Sequence, residues 1–303
     1  MAEKADNSNW KENLLKSSLP LEQLVAEELE KKNFYIAGEY SYTRQNEHEI
    51  DTEFSIDLLS RKSNLVEASQ YGDELNILIE CKYTYPTTKW VFSPHLNRYF
   101  DSLNIYCLNH SRQCVLAHRL NIDFQVCTKG IGLYDKTFDP NVISHGLNQL
   151  RYGMPNLIYQ QLNNMDNGYT KYEPRHICIC LMLVTTANLY ILKPGQKLDT
   201  YYAASVIEDV SEKADALIVT QVMSPLLFQY SEKLLQSYLE SKGQFNRRKS
   251  LDSEQKESIR RILKSIFPRE LRCIVVNIDA LDNILKVVEL ASFSDKSNTI
   301  ISL

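Results

Sequence analysis

The segment LNILIECKY, residues 75–83, is an apolar run that ends in two charged side chains, Glu80 and Lys82. Its length and apolar character predict a β-strand. Because side chains alternate along a strand, Glu80 and Lys82 share one face, whereas Cys81 points to the other. Leu78 lies earlier on the charged face, so we expect the strand to begin in the core and to end at a polar cleft.

The segment EIDTEFSIDLLS, residues 49–60, is predicted to be the preceding strand, because apolar and polar or acidic residues alternate along it. A polar connection at residues 61–74 contains a Tyr-Gly-Asp turn signal at 71–73. We therefore predict a hairpin that brings Asp57 close to Glu80. Such a pair of carboxylates can converge on a divalent cation, which prefers oxygen ligands.

A cation held there would polarise a phosphoryl oxygen and lower the pKa of a bound water, while Lys82 orients that water or stabilises charge on phosphorus. The residues thus predict a hydrolytic site. Asp51 is an alternative first acid on the same strand face. Asp57 is favoured because apolar residues follow it directly.

The order Ser55-Ile56-Asp57-Leu58 and then Leu78-Ile79-Glu80-Cys81-Lys82 resembles the Asp…Glu-x-Lys signature of the PD-(D/E)xK (restriction-endonuclease-like) nuclease superfamily. The resemblance implies an α/β fold with a mixed central sheet flanked by helices. It implies Mg²⁺, with Mn²⁺ as an alternative, bound at Asp57, Glu80 and the intervening position Cys81. The implied activity is hydrolysis of nucleic acid, DNA in preference to RNA, in restriction, defence or repair.

The same resemblance extends to two neighbouring helices. Glu22 on the helix before the strands matches an acidic position of the superfamily, with Glu28 as a weaker match, and a surface carboxylate is the competing interpretation. Gln149 matches a glutamine on the helix after the third strand, and it could equally be an exposed helix residue. Pairing into a homodimer or with a partner protein is compatible with this class.

The rest of the chain alternates between predicted helices and strands. Helices are expected at residues 19–32, 141–163 and 225–240, in a segment after residue 254 and from residue 280; strands are expected at 123–133, 175–192, 214–221 and 272–278. An aromatic-rich stretch, 34–42, leads into the acidic strand, and residues 84–120 give no clear pattern. We predict a nuclease-like domain at 15–245, with its motif core at 19–163, and a C-terminal α/β extension at 246–303 that is separate or part of the same domain.

Composition restricts the class of protein. The chain has 303 residues, 44% hydrophobic and 24% charged, with a formal net charge of −4. This charge argues against a generally basic, DNA-coating protein. The longest apolar run, residues 177–184, is far below the roughly 20 residues that cross a bilayer, and no signal segment is visible, so a cytoplasmic protein is expected, without a membrane partner. Seven scattered cysteines predict reduced thiols.

Three further features have competing interpretations. A Cys/His set could hold zinc, but it lacks a Cys-x-x-Cys pair; it comprises Cys107, His110, Cys114, His118 and Cys127. The aromatic segment 83–92 could stack substrate or pack over the sheet, and the basic run 247–249 could contact phosphate or be a solvated loop. The alternative to a nuclease is a catalytically silent protein of the same fold that binds nucleic acid or protein as a scaffold.

Overall fold

The fold is that of a computed structural model. It describes residues 9–45, 50–65, 71–85, 87–95, 103–109, 114–120, 124–134, 138–139, 141–166, 173–245 and 270–293. The predicted helix after residue 254 and the basic run at 247–249 lie outside these ranges. No helix in the described ranges is both long enough and apolar enough to span a membrane.

Six α-helices lie in the described ranges. They are α1 (Asn9–Lys16), α2 (Leu19–Lys31), α3 (Val142–Asp166), α4 (Leu198–Ala203), α5 (Pro225–Phe245) and α6 (Leu281–Phe293). This confirms the helices predicted at 19–32, 141–163 and 225–240 and from residue 280, with ends that differ by a few residues. Helix α2 begins with Pro20 in its first turn, a position where the missing N–H costs no hydrogen bond.

Thirteen strands of the described chain form one mixed sheet. They are β1 (Tyr35–Gln45), β2 (Asp51–Leu65), β3 (Tyr71–Lys82), β4 (Lys89–Pro94), β5 (Leu103–Asn109), β6 (Cys114–Leu120), β7 (Val126–Leu133), β8 (Phe138–Asp139), β9 (Glu173–Thr185), β10 (Asn188–Leu192), β11 (Ser211–Ala214), β12 (Ala216–Val222) and β13 (Glu270–Asn277). The main order is β1-β2-β3-β9-β13-β12-β7-β4-β10-β11. Strand β5 also pairs with β9 and carries β6, and β8 pairs with β7.

Strand β3, the Glu-x-Lys strand, lies inside the sheet. It pairs antiparallel with β2, which confirms the predicted hairpin, and parallel with β9 along its whole length. The connection predicted at 61–74 is wrong, because β2 continues to Leu65 and the expected turn residues 71–73 belong to β3. A strand that is paired on both edges and covered on both faces is apolar on both faces. This explains why three apolar residues, Ile77, Leu78 and Ile79, directly precede Glu80.

Helices cover both faces of this sheet. Residues of α3 and α5 pack with Leu78 and with alternate residues of β9 in one core. Residues of α2 and α6 pack with Ile77, Ile79 and Cys81 in a second core on the opposite face. The chain is thus a mixed α/β protein with a large mixed sheet between two helical layers.

The structure adds to and corrects the sequence expectations about strands. The aromatic-rich stretch after α2 is strand β1, which pairs antiparallel with β2. The single strand expected at 175–192 is two strands, because the chain bends at residues 186–187 and β10 then pairs with β4 instead of continuing β9. The unassigned region 84–120 contains β4, β5 and β6. The strand expected at 123–133 begins at Val126 and lies between β12 and β4, away from β3.

The C-terminal part of the chain contributes to the middle of the sheet. Strand β13 pairs parallel with β9 and antiparallel with β12. Every residue from Leu271 to Val276 is buried. The described residues 270–293 therefore continue the sheet that carries the Glu-x-Lys strand.

Candidate active site

Asp57 lies at an irregularity of β2, where the strand stops pairing with β3. The β2–β3 ladder ends at the pair Leu58 and Ile79. On the other edge of β2, the pairing with β1 shifts register between Leu59 and Ile56. As a result Ile56 packs in the α3-side core and Leu58 in the α2-side core, so the strict alternation expected for this strand is broken. Such bulges re-aim a side chain.

Because β2 diverges from β3 here, its backbone supplies no ladder acceptor for the N–H of Cys81. The Asp57 carboxylate accepts that hydrogen bond instead. Its Oδ2 accepts a hydrogen bond from the backbone N–H of Cys81 at 2.6 Å. Burial raises the pKa of Asp57, and this N–H and the charge of Lys82 oppose the rise. Asp57 is thereby fixed beside the end of β3, where Glu80 and Lys82 lie.

Glu80 has no exposed surface. Its Oε1 accepts a hydrogen bond from Lys82 Nζ at 2.5 Å. Its Oε2 is buried and has no hydrogen-bond partner in the described part of the chain. Burial and then the neighbouring Asp57 charge raise the pKa of Glu80 to about 7, although Lys82 and, to a smaller extent, the Asp57 backbone N–H lower it.

Gln149 on α3 completes the surroundings of Lys82. Its Oε1 accepts from Lys82 Nζ at 3.3 Å, and its Nε2 donates to the Ser55 carbonyl at 3.1 Å. Because an amide both accepts and donates, Gln149 connects the ammonium group to β2. The backbone carbonyl of Gln149 in turn accepts from the Tyr42 hydroxyl at 3.2 Å.

Gly146 lets α3 approach this strand end closely. A Cβ atom at Gly146 would lie 2.8 Å from Leu183 Cδ1 and 3.4 Å from Lys82 Cε. The first distance is shorter than van der Waals contact, so a larger residue would push the helix away from β3 and β9. The small residue one turn before Gln149 therefore helps to keep its amide within reach of Lys82.

Glu22 on α2 contributes to the same electrostatic group. Burial raises the pKa of Glu22, and the charges of Asp57 and Glu39 raise it further, whereas Lys82 lowers it. The Ser18 hydroxyl, just before α2, accepts from the Tyr83 backbone N–H at 3.2 Å, which holds the start of the helix at the end of β3.

Glu39 on β1 was missed by sequence reasoning. It is exposed, and its charge raises the pKa of both Asp57 and Glu22. The sequence signal is the preceding Gly38, which has a φ of 83° and lies at the register shift between β1 and β2. A glycine inside a strand often marks such a bulge.

The structure separates the competing residues from this group. Asp51 is exposed at the start of β2, six residues or about 20 Å of strand from Asp57. Glu28 forms a surface ion pair with Lys31 at 2.5 Å. The buried side chain of Cys81 packs in the α2-side core, opposite the face of Glu80, so its thiol is not directed toward the two carboxylates. Only the backbone of this predicted metal position lies beside Asp57.

The remaining candidates are resolved in part. Cys127 is fully buried in the α3-side core, while the side chains of the other four residues of the Cys/His set lie outside the described part of the structure. In the aromatic segment, Trp90 and Phe92 are fully buried, which confirms packing for these two, whereas Tyr85 is 45% exposed and bonds to Glu12.

The residues present fit a magnesium ion better than a transition metal. Asp57 and Glu80 offer carboxylate oxygens, and one of these, Glu80 Oε2, is buried without a partner. Within the described ranges, no group of three or more His, Cys, Asp or Glu side chains is arranged to hold a metal. Mg²⁺ typically uses one or two carboxylates, water and substrate oxygens, so a two-carboxylate site is compatible with it.

No family model, no curated protein and no solved structure matches this chain.

Proposed function

We propose that this chain is a divalent-metal-dependent phosphodiesterase that cleaves nucleic acid, DNA in preference to RNA. The observation that carries the proposal is the Glu80 carboxylate, which is fully buried, bonded to Lys82 through one oxygen and without a hydrogen-bond partner among the described residues at the other. A buried carboxylate oxygen without a partner costs free energy, and a cation would compensate for that cost.

Asp57 and Glu80 are the side chains that would hold the ion. A bound Mg²⁺ supplies polarisation of the phosphodiester and a lowered pKa for water. Lys82 would stabilise the negative charge that develops on the phosphate oxygens and orient the attacking water. Gln149 would keep the Lys82 ammonium in place through its bonds to Lys82 Nζ and Ser55. Glu22 would support metal binding through water, because in the described ranges no three carboxylate side chains are arranged around one ion.

The restriction-endonuclease-like fold is part of the same proposal. It is supported by the order of site elements along the chain: the helix with Glu22, the strand with Asp57, the strand with Glu80 and Lys82, and the helix with Gln149. Hydrogen bonds and charge interactions connect these side chains at one end of β3. Restriction, defence against foreign DNA and repair are the roles that such a nuclease would serve.

The test is cleavage of labelled linear DNA, circular DNA and single-stranded RNA with Mg²⁺ or Mn²⁺. We expect metal-dependent products from the wild type, and a loss of at least about a hundredfold in rate for Asp57→Asn, Glu80→Gln and Lys82→Ala. Asp51→Asn is the matched control, because it changes an exposed carboxylate of the same strand, and it should cleave like the wild type. Circular DNA is cut only by an endonuclease, so it also identifies the mode of attack.

A scaffold without catalysis is the second candidate. It is favoured by the ion pair between Lys82 and Glu80, which already compensates part of the buried charge, and by the net charge of −4. Calorimetric titration with Mg²⁺ and Mn²⁺ separates the two candidates. A folded wild type that binds neither ion and cuts no substrate supports the scaffold, and binding that Glu80→Gln abolishes supports the phosphodiesterase.

A further inference from the structure

Arg44, near the end of β1, is held between two aromatic rings. Its guanidinium carbon lies 4.2 Å from the ring centre of Phe54 and 4.0 Å from that of Tyr152. The Phe54 ring also stacks on Tyr42 at 5.9 Å. Cation–π contacts with two rings restrict the position of a guanidinium group and leave its N–H donors available to an acceptor.

The Arg44 guanidinium has no polar partner in the described part of the chain. It forms no hydrogen bond and no ion pair there, and its buried Nε is unpartnered. The buried Nε of Arg151, in the same region, is unpartnered too, but its terminal nitrogens donate to Asn148 Oδ1 and to the Val222 carbonyl. Arg44 is thus a half-buried cation for which no described residue of the chain supplies an acceptor. An acceptor from outside the chain would satisfy its donors.

The aromatic contacts place Arg44 close to the candidate active site. Tyr152 is three residues after Gln149 on α3, about 4.5 Å along the helix, and Gln149 bonds to Lys82. Phe54 precedes Ser55, whose carbonyl accepts from Gln149. Arg44 is therefore on the order of 10 Å from the Lys82 ammonium. Phosphates of one strand advance about 3.4 Å each along a duplex axis and lie farther apart than this in space, so a strand bound at Lys82 presents another phosphate near Arg44 within at most about three nucleotides.

We propose that Arg44, clamped by Phe54 and Tyr152, binds a backbone phosphate of the nucleic-acid strand a few nucleotides from the phosphodiester that is cleaved. The inference rests on the proposed function, since it takes the strand to be bound at Lys82. A planar guanidinium matches the paired oxygens of a phosphate, and phosphate contacts set the register of a strand without selecting its sequence. DNA and RNA share this chemistry.

The test measures binding of fluorescent 20-nucleotide DNA and RNA strands by anisotropy, in Ca²⁺ and at several salt concentrations. We expect Arg44→Met, which keeps an apolar chain between the rings, to weaken binding about tenfold and to lower the salt slope by about one. Arg44→Lys should recover part of the affinity, because it keeps the charge but not the planar donor pair. Lys233→Ala removes a neighbouring exposed charge that bonds to Gln45, and should change binding less than about threefold.

Hydrolysis of bis(p-nitrophenyl) phosphate, which is too small to reach Arg44, separates this inference from the proposed function. We expect Arg44→Met to hydrolyse it at the wild-type rate while cleaving long strands less efficiently through a raised KM. A wild type that cleaves, together with Arg44→Met binding both strands as tightly and with the same salt slope, overturns the inference alone. Strand binding that depends on Arg44 in a protein that cleaves nothing supports the phosphate contact and contradicts the proposed function. An effect on only one of the two strands identifies which nucleic acid Arg44 contacts.

Discussion

At the scale of single residues, Glu80 determines the chemistry of the site. Its pKa of about 7 results from burial and from the adjacent Asp57, and it makes the carboxylate half-protonated near neutrality in the absence of a metal. A cation beside Glu80 Oε2 would favour the ionised form and reverse this effect. Protonation of Glu80 and the proposed metal binding would therefore be coupled.

This coupling predicts a pH-dependent stability. The pKa of Glu80 is higher in the folded than in the unfolded state, so the folded state holds more protons between pH 4.5 and about 7 and loses stability as pH rises through this window. In EDTA, the wild type should lose on the order of 3 kcal/mol of its free energy of unfolding between pH 4.5 and pH 8, relative to Glu80→Gln, which lacks the titrating carboxyl. Urea unfolding across this range measures the difference.

Saturating Mg²⁺ provides the control for this prediction, because it should stabilise the wild type at pH 8 and leave Glu80→Gln unchanged. A constant difference between the two proteins across the pH range in EDTA would show that Glu80 does not titrate in this window.

Much of the site is visible in the sequence, because it depends on local order. Glu80 and Lys82 follow from strand periodicity, and Asp57 from the predicted hairpin and the apolar residues after it, whereas Gln149 follows only from the family resemblance. Glu39 and the bulge at Asp57 depend on how β1 pairs with β2, a register that neither segment specifies alone. The separation of Ile56 and Leu58 into different cores has the same origin.

At the scale of elements, α3 connects the site to the sheet through small residues. A Cβ atom at Gly153 would lie 2.3 Å from Ile56 Cδ1, next to Asp57. Side chains of the sheet thus pack directly against the α3 backbone at two positions, Gly146 and Gly153. The amphipathic pattern predicts that α3 packs on the sheet, but the close approach depends on the specific partner residue, Ile56, of a distant segment.

Gly153→Ala is predicted to destabilise the protein, although alanine ordinarily favours a helix over glycine by about 1 kcal/mol. The new methyl group must displace Ile56, and overpacking typically costs about 1–3 kcal/mol. We expect a net loss of up to about 2 kcal/mol in the free energy of unfolding and weaker metal binding at Asp57. Asn164→Ala, at an exposed position of the same helix, should be neutral or slightly stabilising. A stabilised Gly153→Ala protein would contradict the close packing.

At the scale of the whole molecule, the sheet depends on both ends of the described chain. Strands β1, β2, β3 and β9 carry the site, yet β13, about 90 residues after β9, lies between β9 and β12. The sequence indicated a C-terminal strand and helix, but its pattern contains no information about which strands β13 joins. Long-range pairing of this kind is the part of the fold that periodicity cannot supply.

Removal of residues 246–303 is therefore predicted to abolish folding. It deletes β13 and α6, leaving the edges of β9 and β12 unpaired and the α2-side core exposed. We expect the shortened chain to be insoluble or to lack a cooperative thermal transition by circular dichroism, with the full-length protein measured alongside. A cooperative transition in residues 1–245 would instead support an independent nuclease-like domain.

The proposed binding of a divalent ion by Asp57 and Glu80 can be tested by the anomalous scattering of Mn²⁺ in soaked crystals. We predict a peak within coordination distance of Glu80 Oε2 and an Asp57 carboxylate oxygen, and no such peak in crystals of Glu80→Gln. Wild-type crystals that show Mn²⁺ only elsewhere, or none at this strand end, would contradict the proposed binding.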